Sequence, residues 1–260
     1  MGMGRTLRAI GKRFGYDIQR FNRDLPQHGY DLEPEAREAI AQVADHTMVS
    51  FEKLVPLYQQ AAYCEEAGLA GAFVECGVWK GGCVGIMALA NLKYGMARRE
   101  LHLFDSFEGI PEPDAAIDGE AAIDFARSAG GGTSGELKPL ADQYGGVGTI
   151  AVNKELLEGR IGYPAEHLHY HVGWFQNTVP VYNADIGPIA ILRLDGDWYS
   201  STKVCLDHLY DQVVDGGFVI LDDFKAYEGC ERAVRDFWAE RNIFPYLHHL
   251  DRWGRYWIKS

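Results

Sequence analysis

The chain has 260 residues, 47% of them hydrophobic, enough to bury the core of one large α/β domain. Its formal net charge of −12 argues against nucleic acid as the main partner, because phosphate backbones are bound by clustered Lys and Arg. No apolar run approaches the roughly 18 residues of a membrane span and no signal-peptide core stands at the N-terminus. The five cysteines lack zinc-site spacing, which points to reduced thiols in a cytoplasmic protein.

The acidity is uneven. Residues 1–23 carry Arg5, Arg8, Lys12, Arg13, Arg20 and Arg23 against Asp17, so this segment is +5 and the remainder −17. Leu7, Ile10, Phe14, Ile18 and Phe21 recur at spacings of three and four, the pattern of an amphipathic helix, weakened by Gly11 and Gly15. An apolar stripe of that size needs a partner face, on its own domain or on a second subunit, so a homo-oligomer is expected, with a membrane surface as the other reading. From Glu35 to Gly68 the pattern is helical again, broken near His46–Ser50, with a fresh helix starting at Ser50. Residues 1–70 are read as an N-terminal helical arm and cap, and residues 71–260 as the main domain, with a lid insertion around 106–148.

A βα alternation then begins. Ala72–Cys76 reads as a strand carrying Glu75, followed by the glycine-rich turn Gly77-Val78-Trp79-Lys80-Gly81-Gly82 and a helix to about Tyr94. Leu101–Phe104 is the next strand, ending in Asp105. Together these form the first half of a nucleotide-binding unit, in which glycines allow close backbone approach and the terminal acid takes ribose hydroxyls. The spacing is not G-x-G-x-x-G and no G-K-[ST] follows, so a dinucleotide or ATP is the weaker reading. The irregular stretch Ser106–Gly148 has the length of a loop that covers a substrate.

His167–Val172 reads as a strand, and Gly173-Trp174-Phe175 at its end sets two aromatics where a purine could lie. His167, His169 and His171 share one strand face, where packing and solvent contacts outweigh a metal role. Ile189–Leu194, mostly apolar, runs into Asp195 and Asp197. A second run, Gly217–Leu221, ends in Asp222 and Asp223. Like charges so close repel unless a cation or a proton is held between them, and carboxylates from two adjacent strands suit a hard cation such as Mg2+. The same acids could instead cap helices. Trp198 and Tyr199 could stack on a sugar ring or pack the start of a helix over 199–214. A helix over 228–242 and closing strands near 246–250 and 255–258 complete the chain, the aromatic alternation of Tyr256 and Trp257 suiting an antiparallel last strand.

Five motifs in register resemble the macrocin O-methyltransferase family, the sugar O-methyltransferases of the mycinamicin, tylosin and novobiocin type. They are Thr47-Met48-Val49-Ser50, Phe73–Gly82, Phe104-Asp105-Ser106-Phe107-Glu108-Gly109, Leu194-Asp195-Gly196-Asp197-Trp198-Tyr199 and Leu221-Asp222-Asp223-Phe224. The resemblance implies a class I methyltransferase with a Rossmann-like fold, a seven-stranded mostly parallel sheet with an antiparallel last strand, plus N-terminal helices. It also implies S-adenosylmethionine and Mg2+ as cofactors and, as acceptor, a sugar hydroxyl on a natural product, a nucleotide sugar or a glycan.

Carried over by position, Asp195, Asp222 and Asp223 would be the metal ligands and Asp197 the general base. Thr47, Met48 and Ser50 would hold the methionine end of the donor. Glu75, Gly77 and Gly81, with Trp79 in the same turn, would form the floor beneath it, bordered by Asp195. Asp105 and Ser106 would take the ribose, and Gly173 and Trp174 would flank the purine. The 1–23 segment and the 106–148 insertion match the family loosely, which leaves the acceptor open. A sugar hydroxyl is a weak acid and needs both a Lewis acid and a base; a catechol or phenol, near pKa 10, is the alternative acceptor and needs less help.

Overall fold

The computed structural model describes residues 34–128 and 145–260. The amphipathic basic segment and the middle of the 106–148 insertion lie outside the described residues. Within them the chain forms α1 (Pro34–Val43), α2 (Phe51–Glu66), β1 (Ala72–Cys76), α3 (Gly82–Tyr94), β2 (Leu101–Asp105) and α4 (Glu120–Ser128). A short α5 (Ile150–Lys154) follows, continued by a π-turn at Glu155–Arg160, then β3 (Leu168–Val172), α6 (Phe175–Ile186), β4 (Ile189–Leu194) and α7 (Tyr199–Leu209). The chain closes with β5 (Val213–Leu221), α8 (Glu228–Arg241), β6 (His248–His249) and β7 (Arg255–Ile258).

The strands make one seven-stranded sheet in the order β3-β2-β1-β4-β5-β7-β6. Neighbours from β3 to β5 are parallel, and β7 runs antiparallel to both β5 and β6. The expected class I methyltransferase sheet is therefore present, with its antiparallel last strand. Two element boundaries differ from expectation. The helix expected to reach residue 214 ends at Leu209, and β5 starts at Val213, four residues earlier than its apolar run, because Val213 pairs with Ile189 ahead of an irregularity in the ladder.

Alternation along the inner strands sorts their side chains between two helix layers. Phe73, Leu101, Leu103, Ile191 and Ile220 pack with α1, α2 and α3, whereas Val74, Phe104, Leu192 and Val219 pack with α6, α7 and α8. Glu75 and Arg193 fall in the first register, so two charged side chains point under α2 and α3. The chain reverses its direction of winding between β1 and β4, and a crevice opens there beyond the carboxyl ends of the strands, where ligands of open α/β sheets bind. Register puts Cys76, Phe104, Leu194 and Leu221 level, so that Gly77, Asp105, Asp195 and Asp222 leave the sheet side by side.

At the other flank, β2 and β3 bring the histidines together. His102 Nδ1 lies 3.0 Å from His171 Nε2. The His102 ring stacks on His169 at 4.5 Å, and Glu100 accepts from His167 and His169. These are packing and hydrogen-bond contacts, and the only metal-compatible cluster among the described residues lies elsewhere. Burial, followed by the charge of His169, pushes His171 down to about 4; burial and the charges of His169 and His171 push His102 down to about 3. A histidine whose folded pKa is depressed stabilises the fold above its unfolded value of about 6.5, and that stability is lost as pH falls toward the folded value. The buried carboxylates with raised pKa pull the other way, so variant and wild type must be compared. The fall in melting temperature between about pH 7 and pH 4.5 should be shallower in His171→Asn than in wild type; parallel curves would show that this pair does not govern acid stability.

Candidate active site

The floor of the crevice is backbone. Gly77 follows β1 with φ +92°, and a Cβ there would stand 1.9 Å from the carbonyl oxygen of Asp195. Glycine is required because the β1 and β4 chain ends touch, with Asp195 N donating to the Cys76 carbonyl at 2.8 Å. Asp105, at the end of β2, shapes the next turn. Its Oδ2 accepts from Val78 N at 2.7 Å and Trp79 N at 3.0 Å, while Oδ1 accepts from Phe107 N at 2.7 Å. Burial raises its pKa and these three N–H groups oppose that rise. Ser106 turns its hydroxyl onto the Gly109 carbonyl at 2.8 Å. Gly81, with φ +87°, precedes α3 in a space bounded by Asn153, whose amide donates to the Trp79 carbonyl at 2.7 Å.

The acids meet beside this floor. Asp195, Asp197 and Asp223, each half-buried, offer carboxylate oxygens within 4.8 Å of one another. Asp197 reaches the group through a left-handed backbone, φ +61°, which a non-glycine residue adopts only when its surroundings impose it. Burial and then the charge of Asp195 push its pKa up to about 7. Burial, then repulsion by Asp222, Asp197 and Asp195, raises Asp223 far above the usual carboxylate range. Three carboxylates so placed resist simultaneous ionisation, and they form a hard, all-oxygen donor set suited to a divalent cation.

Asp222 faces a different environment. Its Oδ2 accepts from Lys53 Nζ at 2.6 Å, and its Oδ1 accepts from Arg193 Nη2. Arg193 itself is 2% exposed and also binds Glu75 and, at 2.9 Å, Asp195 Oδ2. Burial pushes Glu75 up to about 8 against the pull of Arg193. Burial alone would lower the Lys53 ammonium, but the charges of Asp222 and Asp223 outweigh it, and its pKa is raised. Sequence reading missed both cations. An arginine inside an otherwise apolar strand was the available signal for Arg193; nothing local marked Lys53, whose partner is 169 residues away.

Of the residues expected to hold the donor, Met48, Gly77, Trp79, Asp105, Ser106, Gly173, Trp174 and Asp195 line one cleft together with Asp197. The cavity volume of the cleft is about 170 Å³. Thr47, Ser50, Glu75 and Gly81 are not part of that lining. Thr47 Oγ1 accepts from Val49 N at 3.0 Å and Ser50 Oγ donates to Asp251 at 3.2 Å. Trp198 is buried, donating its indole N–H to the Pro111 carbonyl at 2.8 Å, so it packs the start of α7 and leaves no face for a sugar. Asp118 accepts from Tyr199 N at 2.8 Å and fastens the loop over the cleft to the same helix start.

Comparison with known proteins agrees with this geometry. The family described as Macrocin-O-methyltransferase (TylF) matches residues 19–259. A Streptomyces olivaceus protein, an 8-demethyl-8-(2,3-dimethoxy-alpha-L-rhamnosyl)-tetracenomycin-C 4'-O-methyltransferase, is 33% identical over 88% of this chain and 82% of its own. The mycinamicin III 3''-O-methyltransferase of Micromonospora griseorubida is 30% identical over 83% of this chain and 79% of its own. Among solved structures, the O-methyltransferase NovP superposes with a TM-score of 0.68 at 29% identity, covering 83% of this chain and 82% of its own. The chain belongs to the macrocin O-methyltransferase family and is an S-adenosylmethionine-dependent O-methyltransferase.

Proposed function

We propose that the acceptor is a hydroxyl of a sugar and that Asp195, Asp222 and Asp223 hold a divalent cation, Mg2+, beside Asp197 as general base. The observation that carries this reading is the convergence of Asp195, Asp197 and Asp223 at the edge of the cleft. Sugar O-methyltransferases among the relatives support the acceptor class. When bound, the ion supplies Lewis acidity that lowers the pKa of a chelated hydroxyl. Asp197 would accept the hydroxyl proton at its carboxylate, which shares the acid cluster with Asp195 and Asp223.

The donor would lie along the cleft, its methionine end at Thr47, Met48 and Ser50, over the turn from Glu75 through Gly77 and Trp79 to Gly81. Its ribose would sit at Asp105 and Ser106 and its purine at Gly173 and Trp174. Asp105 Oδ2 accepts two backbone N–H groups and Oδ1 accepts from Phe107 N, with Ser106 Oγ at the longer distance of 3.5 Å, so a ribose hydroxyl at Oδ1 would replace that long contact. Alignment of oxygen, methyl carbon and sulfur is then the remaining requirement, and it is met by holding both partners in one crevice.

A cytoplasmic location is supported by five free, buried cysteines, as expected of a reducing compartment. No helix among the described residues is long and apolar enough to cross a membrane. A homo-oligomer rests on the apolar stripe of residues 7–21.

Incubation with labelled S-adenosylmethionine and a panel of deoxysugar glycosides tests the acceptor; transfer to catechols alone would reject the sugar reading. EDTA should abolish turnover and added Mg2+ restore it, and Asp223→Ala should abolish it at any Mg2+ concentration. Undiminished activity in EDTA would overturn the ion. Asp197→Asn should lower kcat by roughly 10²-fold or more while S-adenosylmethionine binds as in wild type; an unchanged kcat would remove Asp197 as base. Asp105→Ala should weaken donor binding by about 1.5 to 3 kcal/mol in calorimetry, the range for a charged hydrogen-bond partner. Equal affinity would make Asp105 a turn-former only.

A further inference from the structure

We infer that Asp118 is a positioning residue for the general base: buried between the first turns of α7 and α8, it holds in place the strained turn that presents Asp197. This rests on the base reading above. Asp197 is the centre of a three-residue turn, closed by Trp198 N donating to the Gly196 carbonyl at 2.6 Å, and its φ of +61° makes this the rare form of γ-turn. Such a turn persists only where its surroundings hold it. The residues that follow are fastened to the loop over the cleft. Trp198 donates its indole N–H to the Pro111 carbonyl, and Tyr199 N, the first amide of α7, donates to Asp118 Oδ1 at 2.8 Å. Trp198 stands at the N-cap and has no capping side chain to offer, so Asp118 supplies the cap from 81 residues earlier.

Asp118 is itself held tightly. It is 2% exposed, its Oδ2 accepts from Asp114 N at 2.7 Å, and its own N donates to the Asp114 carbonyl at 2.8 Å. Gly229, in the first turn of α8, leaves it room, since a Cβ there would stand 1.9 Å from Asp118 Oδ1. Ile110 and Pro111 of the same loop line the cleft, so the wall of the cleft and the base share one anchor. Without the Asp118 carboxylate the Tyr199 N–H loses its acceptor, and the turn before it is free to relax from positive φ, which moves the Asp197 carboxylate. The hydrogen bonds of Asp118 go to Tyr199 and Asp114 and none goes to the residues expected to hold the donor, so the loss falls on the chemical step rather than on donor binding.

Two readouts on the full-length chain test this. Amide hydrogen exchange needs no acceptor: in Asp118→Ala the Trp198 and Tyr199 amides should exchange at least about tenfold faster than in wild type, while those of β4 keep their protection. Turnover is read with the deoxysugar glycoside that the panel above shows to be methylated fastest. Asp118→Ala should lower kcat by about tenfold to a hundredfold, with calorimetric affinity for S-adenosylmethionine within about twofold of wild type. Tyr199→Pro, which deletes the N–H that Asp118 accepts, should share the loss in kcat; Trp198 already has the extended backbone that precedes a proline, and proline is tolerated at a first helical position. Tyr199→Ala, which keeps that N–H, should stay within about threefold of wild type. In an Asp197→Asn background, Asp118→Ala should cost less than about threefold more, because the base it positions is gone. Wild-type exchange at Trp198 and Tyr199, a wild-type kcat in folded Asp118→Ala, or an undiminished loss in the Asp197→Asn background would each overturn the inference. Should Asp118→Ala fail to fold, the Tyr199 pair decides, and a wild-type kcat in Tyr199→Pro overturns it. Asp197→Asn with unchanged kcat would instead refute the base reading, a result separate from all of these.

Discussion

The Arg193 guanidinium holds the catalytic edge together. Glu75, Asp195 and Asp222 come from three neighbouring strand ends, and all three contact this one buried cation. Taking a carboxylate out of water costs several kcal/mol unless it is paired and hydrogen-bonded, and breaking a buried pair from one side costs about 3 to 5 kcal/mol. The planar fork of arginine can serve several carboxylates at fixed angles, which a lysine in its place could not do. Glu75 and Arg193 are also cross-strand partners in the β1–β4 register, so the contact depends on strand pairing and in turn fixes how the ends of β1, β4 and β5 stand relative to one another.

That arrangement divides the acids by environment. Glu75 and Asp222 face inward to Arg193, and Asp222 also to Lys53, in a water-poor layer under α2 and α3. Asp195 and Asp197 line the cleft with Asp223 beside them, all three half-buried. Asp195 belongs to both groups, giving one oxygen to Arg193 while sharing in the cleft cluster. A cluster left short of positive charge attracts a divalent cation.

Backbone strain is concentrated at the same place. Among the described residues, four that are not glycine have positive φ, and three of them, Trp79, Phe107 and Asp197, line the cleft. Asn242, the fourth, is the C-cap of α8, an ordinary place for that conformation. Two of the three are held directly by neighbours: Trp79 by Asp105, Asn153 and the Gly146 carbonyl, Phe107 by Asp105. Asp105 therefore serves structure before it serves any ligand, since one carboxylate organises both loops that border the crevice.

Much of the architecture was legible in the residues themselves. Short apolar runs ending in an acid or a glycine marked β1, β2 and β4, and helical spacing broken near His46–Ser50 marked the join of α1 and α2, because these patterns are local and have periods of two and 3.6. Acids at the ends of two apolar runs placed the site at the carboxyl edge. Local pattern could not sort those acids. Adjacent residues such as Asp222 and Asp223 point to different sides of a chain leaving a strand, and which side meets a cation depends on partners far away in sequence. Lys53 arrives on a helix 169 residues before Asp222, and Arg193 arrives through sheet register. Among these acids, Asp222 rests on two cations, whereas Asp197 clusters with Asp195 and Asp223. Sequence determined the elements and the edge at which chemistry occurs, because hydrophobic periodicity is written in consecutive residues. Tertiary structure alone decided which carboxylates are neutralised and which remain exposed, because charge compensation depends on distances between residues that the chain keeps far apart.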